Sequence, residues 1–357
     1  MSAPTIACLG AGRMAQGIAV AFAYAGHRVT IIDVKARDAE ARARTAAAAR
    51  SEVTGALAAL ADLGLFASAA IPVIAARVGV EEEGSSAAAL TDAAVIFEAV
   101  PEIVSVKHAV LSRVSARCGP RPIIASTTST ILVDDLSRAV SHPERFLNAH
   151  WLNPAFLVPL VELSPGVRTT PEVTQRMQAL LEGIGKVAVV CAARPGYIVP
   201  RIQALAMNEA ARMVEEGVAS AADIDKAVKY GFAFRFMCLG LLEFIDYGGG
   251  DILYHASRYL THALGSERYA SPAIIERNMR AGHIGLKTGR GFLDYATLDV
   301  AAYRSARLKA LHAMLNFLGL ARPPRLDDER RPPAAAPGCP SRPARLRLKR
   351  GRRARRQ

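Results

Sequence analysis

A short apolar run that ends in glycine and gives way at once to a helical pattern limits this chain more than any other feature. The segment is Ile6-Ala7-Cys8-Leu9-Gly10-Ala11-Gly12-Arg13-Met14-Ala15-Gln16-Gly17, and Ile18, Ala21 and Phe22 continue it at helical spacing. A strand that turns into a helix over small residues is the turn by which a backbone approaches a pyrophosphate. Gly10 permits the tight turn, Gly12 lets the backbone come close, and Ala15 is small enough for the helix to pack on the strand. The first helical turn then offers unpaired N–H groups and the positive end of a dipole. The stretch Gly10, Ala11, Gly12, Arg13, Met14 and Ala15 is therefore the expected phosphate-binding element. The next strand, Arg28-Val29-Thr30-Ile31-Ile32-Asp33, ends in a carboxylate about twenty residues on, the expected partner of the adenosine ribose hydroxyls of a dinucleotide. Asp33 favours NAD because it would repel a 2′-phosphate, although Lys35 and Arg37 nearby leave NADP open.

Further along, apolar strand-like runs alternate with helical stretches. Ala93–Glu98 and Pro122–Ser126 read as buried strands, and residues 38–76 are Ala-rich and helical. Such alternation gives a parallel, doubly wound sheet. After Val187-Ala188-Val189-Val190 the strand signals stop; Ile198, Ile202, Leu205, Ala206, Met213 and Val214 then recur at helical spacing up to Gly217, and Ser220-Ala221-Ala222-Asp223 starts another helix with a capping box. The expected fold is α/β: an N-terminal Rossmann domain with a doubly wound, mostly parallel sheet over 1–190, followed by an all-α domain over 191–320 for substrate and dimer contacts. A chain of 357 residues is long enough for two such cores.

The net charge of +13 suggests a polyanion partner until it is located. Residues 321–357 hold 13 of the 45 Lys and Arg but only 3 of the 32 Asp and Glu, so the rest of the chain is nearly balanced and no specific nucleic-acid partner is expected. This Pro/Arg-rich tail lacks an apolar period and is expected to be disordered. Cys8, Cys118, Cys191, Cys238 and Cys339 are odd in number and widely spaced, which reads as reduced thiols and no metal site. No uninterrupted run of eighteen apolar residues occurs and the N-terminus enters a strand directly, so a cytoplasmic protein without a membrane span is expected.

His150-Trp151-Leu152-Asn153-Pro154 and Leu160-Val161-Glu162 place an imidazole and a carboxylate twelve residues apart. Two extended runs around a Pro-containing turn would bring them side by side. Moving a hydride from a carbinol carbon requires the hydroxyl proton to leave too, and imidazole is the usual base near neutral pH. A carboxylate on its far nitrogen would fix the tautomer. Behind a dinucleotide turn, the pair points to alcohol/ketone redox chemistry on a small-molecule substrate.

Several separated motifs resemble one family. They are the Gly10 turn, Glu98-Ala99-Val100-Pro101-Glu102 with Lys107, Ser126-Thr127-Thr128-Ser129, His150 with Asn153-Pro154, Glu162, Pro195-Gly196-Tyr197-Ile198-Val199, and Gly285-Leu286-Lys287-Thr288-Gly289-Arg290-Gly291-Phe292. Over residues 1–297 the chain is similar to short-chain L-3-hydroxyacyl-CoA dehydrogenases, a family that includes 3-hydroxybutyryl-CoA dehydrogenases of fatty acid metabolism and relatives acting on free hydroxy acids such as gulonate and carnitine. The resemblance implies His150 as catalytic base, Glu162 as its orienting carboxylate, and Ser129 as a hydrogen-bond partner of the substrate oxygen. It also implies NAD contacts from Glu102, Lys107, Ser129, Asn153 and Lys287. The helical domain from about residue 191 is expected to offer an apolar self-complementary surface and make a homodimer. On chemistry alone, Ser129 could be a helix cap, Lys107 a solvated helix residue and Asn153-Pro154 plain turn chemistry, while Lys287 stands in a Gly-rich loop expected to be flexible enough to fold over a cofactor.

The chain also departs from the family pattern. Pro200 replaces a usual Asn and Thr127 another. Residues 38–92, where acyl-CoA enzymes carry lysines for CoA phosphates, contain no Lys and only Arg42, Arg44, Arg50 and Arg77. The run Gly231-Phe232-Ala233-Phe234-Arg235-Phe236 is similar to the Gly-x-x-x-Arg insertion of the free-acid branch, where Arg235 would bind a substrate carboxylate in a dry pocket. The expected reaction is NAD-dependent oxidation of the 3-hydroxyl of a short L-3-hydroxyacyl-CoA, with a free 3-hydroxy acid as the alternative. A catalytically weak structural or binding protein is a third reading, opposed by the intact His150, Glu162 and Ser129 set.

Overall fold

The computed structural model of the protein describes residues 3–324; the basic tail beyond that, with Cys339, lies outside the described residues. Eight strands form one sheet: β1 (Ile6–Leu9), β2 (Val29–Asp33), β3 (Val78–Glu82), β4 (Val95–Glu98), β5 (Ile123–Ser126), β6 (Phe146–Trp151), β7 (Leu160–Pro165) and β8 (Val187–Val190). Their order is β3-β2-β1-β4-β5-β6-β7-β8. All neighbours are parallel except β6 and β7, which pair antiparallel. The Rossmann-type sheet expected from the alternation is present, followed by a helical C-terminal part.

Because strand side chains alternate faces, the buried β1 splits its residues between two cores. Ile6 and Cys8 pack with Ile31, Phe97 and Trp151 under helix α1 (Arg13–Tyr24) and helix α2 (Ala39–Asp62), which contribute Ile18, Phe22, Val53, Leu57 and Leu60. Ala7 and Leu9 face the other way, toward Ile32, Ile96 and the helix Val104–Cys118 with Val110, Leu111 and Val114. A sheet covered on both faces needs apolar runs rather than alternation, which is why these strands were legible. Phe22, Phe97 and Trp151 meet at ring-centroid distances of 5.6–6.1 Å; truncating such a buried aromatic to alanine costs about 3–5 kcal/mol. Strand β3 gave no clear signal, since Gly79, Glu81 and Glu82 break the apolar run. It is an edge strand, where charge discourages further pairing.

The chain divides into two compact units, Met1–Val218 and Ala219 onward, and the helix Val199–Glu215 belongs to the first. Among its described residues the second unit contains helices and short turns, among them Ala221–Ala227, Leu241–Gly248, Gly250–Leu264, Ala273–Arg280 and Val300–Phe317. Ser220 caps the first of these by accepting from Asp223 N, as its sequence predicts. No helix among the described residues is long and apolar enough to cross a membrane.

Candidate active site

At the C-terminal end of β1 the chain turns through Gly10 at φ +98°, and a Cβ there would stand 3.0 Å from the Ala99 carbonyl oxygen. Gly12 is the N-cap of α1, and a Cβ there would meet nothing within 4 Å. The space in front of it is open, as close approach of a pyrophosphate requires. No side chain caps α1 and its first turn carries no acidic residue, so its leading N–H groups and dipole end are available to an anion. Gly17 faces Ala155, where a Cβ would sit 3.1 Å from the Ala155 Cβ. That close contact seats α1 against the segment following His150. A cavity of about 420 Å³ runs from Gly10 and Gly12 past Val100 to Asp33. It lies where β1 and β4 lead in opposite directions from the sheet centre, the crevice in which doubly wound folds bind nucleotides. These residues fit a dinucleotide.

The antiparallel register sets His150 directly across from Glu162. His150 Nδ1 lies 2.8 Å from Glu162 Oε2, and both side chains are buried. A carboxylate only accepts, so the proton of this bond sits on Nδ1 and Nε2 keeps its lone pair. The other carboxylate oxygen accepts from Ile198 N and Val199 N, each at 2.9 Å, at the start of the helix Val199–Glu215. Pro200 stands in the first turn of that helix, where its missing N–H costs no helical hydrogen bond. The substitution thus removes a side-chain amide but leaves the two donors that hold Glu162. Tyr197, at φ 44°, stacks on His150 at 5.1 Å with an interplanar angle of 3°. Its hydroxyl donates to Thr128 O and accepts from Asn148 Nδ2, each at 3.0 Å. Burial pushes the phenol well above its ordinary range, so it serves as a neutral donor. Tyr197 entered the sequence reading only within the Pro195–Val199 motif, without a role, and Asn148 did not enter it at all. The buried Asn148, two residues before His150 on β6, was the available signal.

A second buried network lies beside the first, at the ends of β4 and β5. Lys107 is 1% exposed and its ammonium reaches Glu98 Oε1 at 2.9 Å, Glu98 Oε2 at 3.1 Å and Val100 O at 3.3 Å. The solvated reading of Lys107 is thereby overturned: a helix that packs on the sheet turns this position inward. Glu98 also accepts from Val100 N and the Ser126 hydroxyl. Glu102, 3.4 Å from Lys107, accepts from the Thr128 and Thr130 hydroxyls and from Ser129 N and Thr130 N. Partial burial opposes its ionisation, but the Thr128 hydroxyl, the Lys107 ammonium and the two amides outweigh it and hold the carboxyl below its ordinary range. The loop after β5 is thus anchored through its backbone. Ser129 is exposed, and among the described residues its hydroxyl has no protein partner. Thr127 is buried and its amide donates to Glu98 O.

Asn153 is exposed and lines a cavity of about 490 Å³ with Arg13, Gln16 and Glu52. The turn behind it is tied by Lys186, a mostly buried lysine that donates to Ala155 O at 2.7 Å and Val158 O at 2.8 Å. Burial pulls its pKa down, and nothing in the local sequence marked it. Of the four arginines over residues 38–92, Arg42 pairs with Glu82 and Arg44 with Glu40, Arg77 donates to Ala23 O, and Arg50 has no ion pair among the described residues.

Lys287 and Arg235 belong to the second unit. Lys287 pairs with Asp251 at 2.7 Å. Its loop is fastened rather than free. Buried Asp246 accepts from Phe292 N, Leu293 N and the Tyr295 hydroxyl, and a Cβ on Gly285 would come within 2.3 Å of Asp246 O. Gly285 and Gly291 therefore serve close packing on Asp246, while Gly289 takes a left-handed turn at φ +74°, which corrects the expectation of a flexible loop. Arg235 is exposed, donates to Gly231 O at 3.0 Å and lies over the Phe244 ring at 5.2 Å. Its surroundings in this unit are aromatic but not dry.

A nucleotide turn with a histidine–carboxylate pair defines an NAD-dependent oxidoreductase of CH–OH groups. Residues 5–194 match the NAD binding domain of 3-hydroxyacyl-CoA dehydrogenase and residues 196–295 its C-terminal domain. The chain belongs to the 3-hydroxyacyl-CoA dehydrogenase family, and its cofactor is NAD. It is 30% identical over 315 residues, 88% of this chain and 97% of the relative, to 5-formyl-3-hydroxy-2-methylpyridine 4-carboxylate 5-dehydrogenase of Mesorhizobium japonicum. It is 31% identical over 290 residues, 81% of this chain and 94% of the relative, to 3-hydroxybutyryl-CoA dehydrogenase of Bradyrhizobium diazoefficiens. The solved structure of a 3-hydroxyacyl-CoA dehydrogenase from Archaeoglobus fulgidus superposes with a TM-score of 0.72 at 30% identity, covering 89% of this chain and all of that one.

Proposed function

We propose that the protein oxidises the 3-hydroxyl of a short L-3-hydroxyacyl-CoA to the 3-keto product. The observation that carries this is the buried His150–Glu162 pair, which leaves Nε2 as the one basic atom of the ring. Bound NAD supplies the acceptor for the hydride that leaves carbon 3. His150 Nε2 takes the hydroxyl proton in the same step, and Glu162 stabilises the imidazolium that forms. Ser129 hydrogen-bonds the substrate oxygen and favours the developing alkoxide. Gly10, Ala11, Gly12, Arg13, Met14 and Ala15 hold the pyrophosphate and Asp33 the ribose. Glu102, Ser129 and Asn153 face the nicotinamide half, with Lys107 acting through Glu98 and Glu102, and Lys287 is assigned to the cofactor as well. The active form is a cytoplasmic homodimer built through the helical part.

A free 3-hydroxy acid is the second reading, with Arg235 as the carboxylate partner. It is favoured by α2, where Arg42 and Arg44 are already paired, and by the Mesorhizobium relative, whose name gives a pyridine carboxylate rather than a CoA ester as its substrate. An NADH absorbance screen of 3-hydroxyacyl-CoAs against free hydroxy acids separates the two. Turnover of 3-hydroxybutyryl-CoA with inert free acids supports the first. Turnover of free acids only, with Arg235→Met raising KM by about ten- to a hundredfold, replaces it with the second.

A further inference from the structure

The three groups assigned to the reaction come from separate segments: His150 from β6, Glu162 from β7 and Ser129 from the loop after β5. The antiparallel register sets His150 opposite Glu162, but it fixes neither the plane of the imidazole nor the position of the Ser129 loop. One residue touches all three segments. The Tyr197 ring stacks on His150 at 5.1 Å and 3°. The next two amides along the chain, Ile198 N and Val199 N, donate to Glu162 Oε1. The Tyr197 hydroxyl donates to Thr128 O, the carbonyl directly before Ser129.

Asn148 closes the arrangement. It is buried two residues before His150 on β6, so both side chains leave the same face of the strand. Its Nδ2 donates to the Tyr197 hydroxyl and to Ile131 O, each at 3.0 Å. Thr128 and Ile131 bracket Ser129 and Thr130, so one phenol and one amide hold both ends of the short segment that carries Ser129. The backbone of Tyr197 shows the same constraint. It sits at φ 44°, in the left-handed region that is unfavourable for a residue with a Cβ and that persists where the surroundings over-determine it. A glycine would satisfy that backbone and a phenylalanine the stack; the tyrosine hydroxyl adds the reach to Thr128. The single phenol proton is taken by Thr128 O, so the hydroxyl has none for a substrate, and its effect on the reaction passes through other residues.

We propose that Tyr197, braced by Asn148, is a positioning residue for hydride transfer: its ring sets the plane of the His150 imidazole, and its hydroxyl keeps the Ser129 loop in register with that ring. The proposal rests on the assignment of His150 and Ser129 to the reaction but not on the identity of the substrate.

The test is reduction of acetoacetyl-CoA and of acetoacetate by NADH in the full chain. Tyr197→Phe keeps the ring and removes the hydroxyl, whereas Tyr197→Leu removes both. The expected kcat is about tenfold lower in Tyr197→Phe and about a hundredfold lower in Tyr197→Leu, with KM and NADH affinity near native. In a Ser129→Ala background, adding Tyr197→Phe should cost less than about twofold further, because the hydroxyl acts through that loop. Native kcat in both Tyr197 variants, a loss carried by KM, or an undiminished cost of Tyr197→Phe beside Ser129→Ala overturns the proposal and leaves Tyr197 as packing. Ser129→Ala at the native rate removes the loop from the reaction and the hydroxyl's part of the proposal with it. His150→Gln at the native rate is a different failure, since it removes the base itself. One readout needs no substrate: the Nδ1 proton of His150, identified in NMR spectra by its loss in His150→Gln, should keep its position in Tyr197→Phe and move or broaden in Tyr197→Leu. An unmoved signal in Tyr197→Leu overturns the ring's part, even where neither substrate is reduced.

Discussion

Glu162 and Glu98 are both fully buried, both face a basic side chain, and both accept from backbone N–H groups. They differ in what is left over. At Glu98 the Lys107 ammonium is surrounded by acceptors, so the pair is closed and can only hold its surroundings. At Glu162 the partner is a ring with two nitrogens, and binding one defines the state of the other. The same economy of burial yields an anchor in one place and a base in the other. Buried charge in this sheet is therefore not by itself a sign of catalysis; an unused valence is.

The largest effect that would break this comparison is expected from Lys107→Met, which strands the Glu98 charge. Removing one partner of a buried pair costs about 3–5 kcal/mol, to be read as a large fall in Tm. The double variant Glu98→Gln with Lys107→Met should recover much of it, because no bare charge remains. A Lys107→Met protein of native Tm would show that the pair is not closed. Glu162→Gln sharpens the other side. An amide has one accepting end, so either His150 Nδ1 or the Ile198 and Val199 N–H groups lose their acceptor, and kcat should fall by about a hundredfold with cofactor binding retained. An unaltered kcat would separate Glu162 from the reaction.

The smallest effect concerns Glu102, which joins the two networks. Its carboxyl is held below the ordinary 4.5, so its contribution to stability is full above that pH and is lost as pH falls through the depressed value. Unfolding measured between about pH 3 and 6 should show a steeper acid limb in the native chain than in Glu102→Gln. Equal limbs would mean that the loop after β5 does not depend on this charge.

The division between anchor and base also sets what the sequence could reveal. The Gly10 turn, β1, β2, β4 and β5 were legible because two-sided burial demands continuous apolar runs, and β8, a half-exposed edge strand, because its valines favour extended backbone. His150 and Glu162 were legible as a pair because a Pro-containing turn between extended runs has few other outcomes. Lys107 was not, since a lysine on a helix reads as solvated unless the facing strand end supplies a carboxylate, and that pairing exists only in the fold. Lys186 and the role of Tyr197 stayed hidden for the same reason: their partners are backbone carbonyls and a ring brought in from distant segments. The loop around Lys287 misled because its glycines fit flexibility as well as they fit close packing on Asp246.

The central claim is that His150 Nε2 accepts the substrate proton. The most direct test is single-turnover hydride transfer in His150→Gln at saturating cofactor, with NADH affinity and Tm measured on the same preparation. The account predicts a rate lowered by at least ~100-fold, with NADH binding and Tm close to native. A His150→Gln enzyme that keeps more than about a tenth of the native rate would contradict it, since a general base contributes more than that.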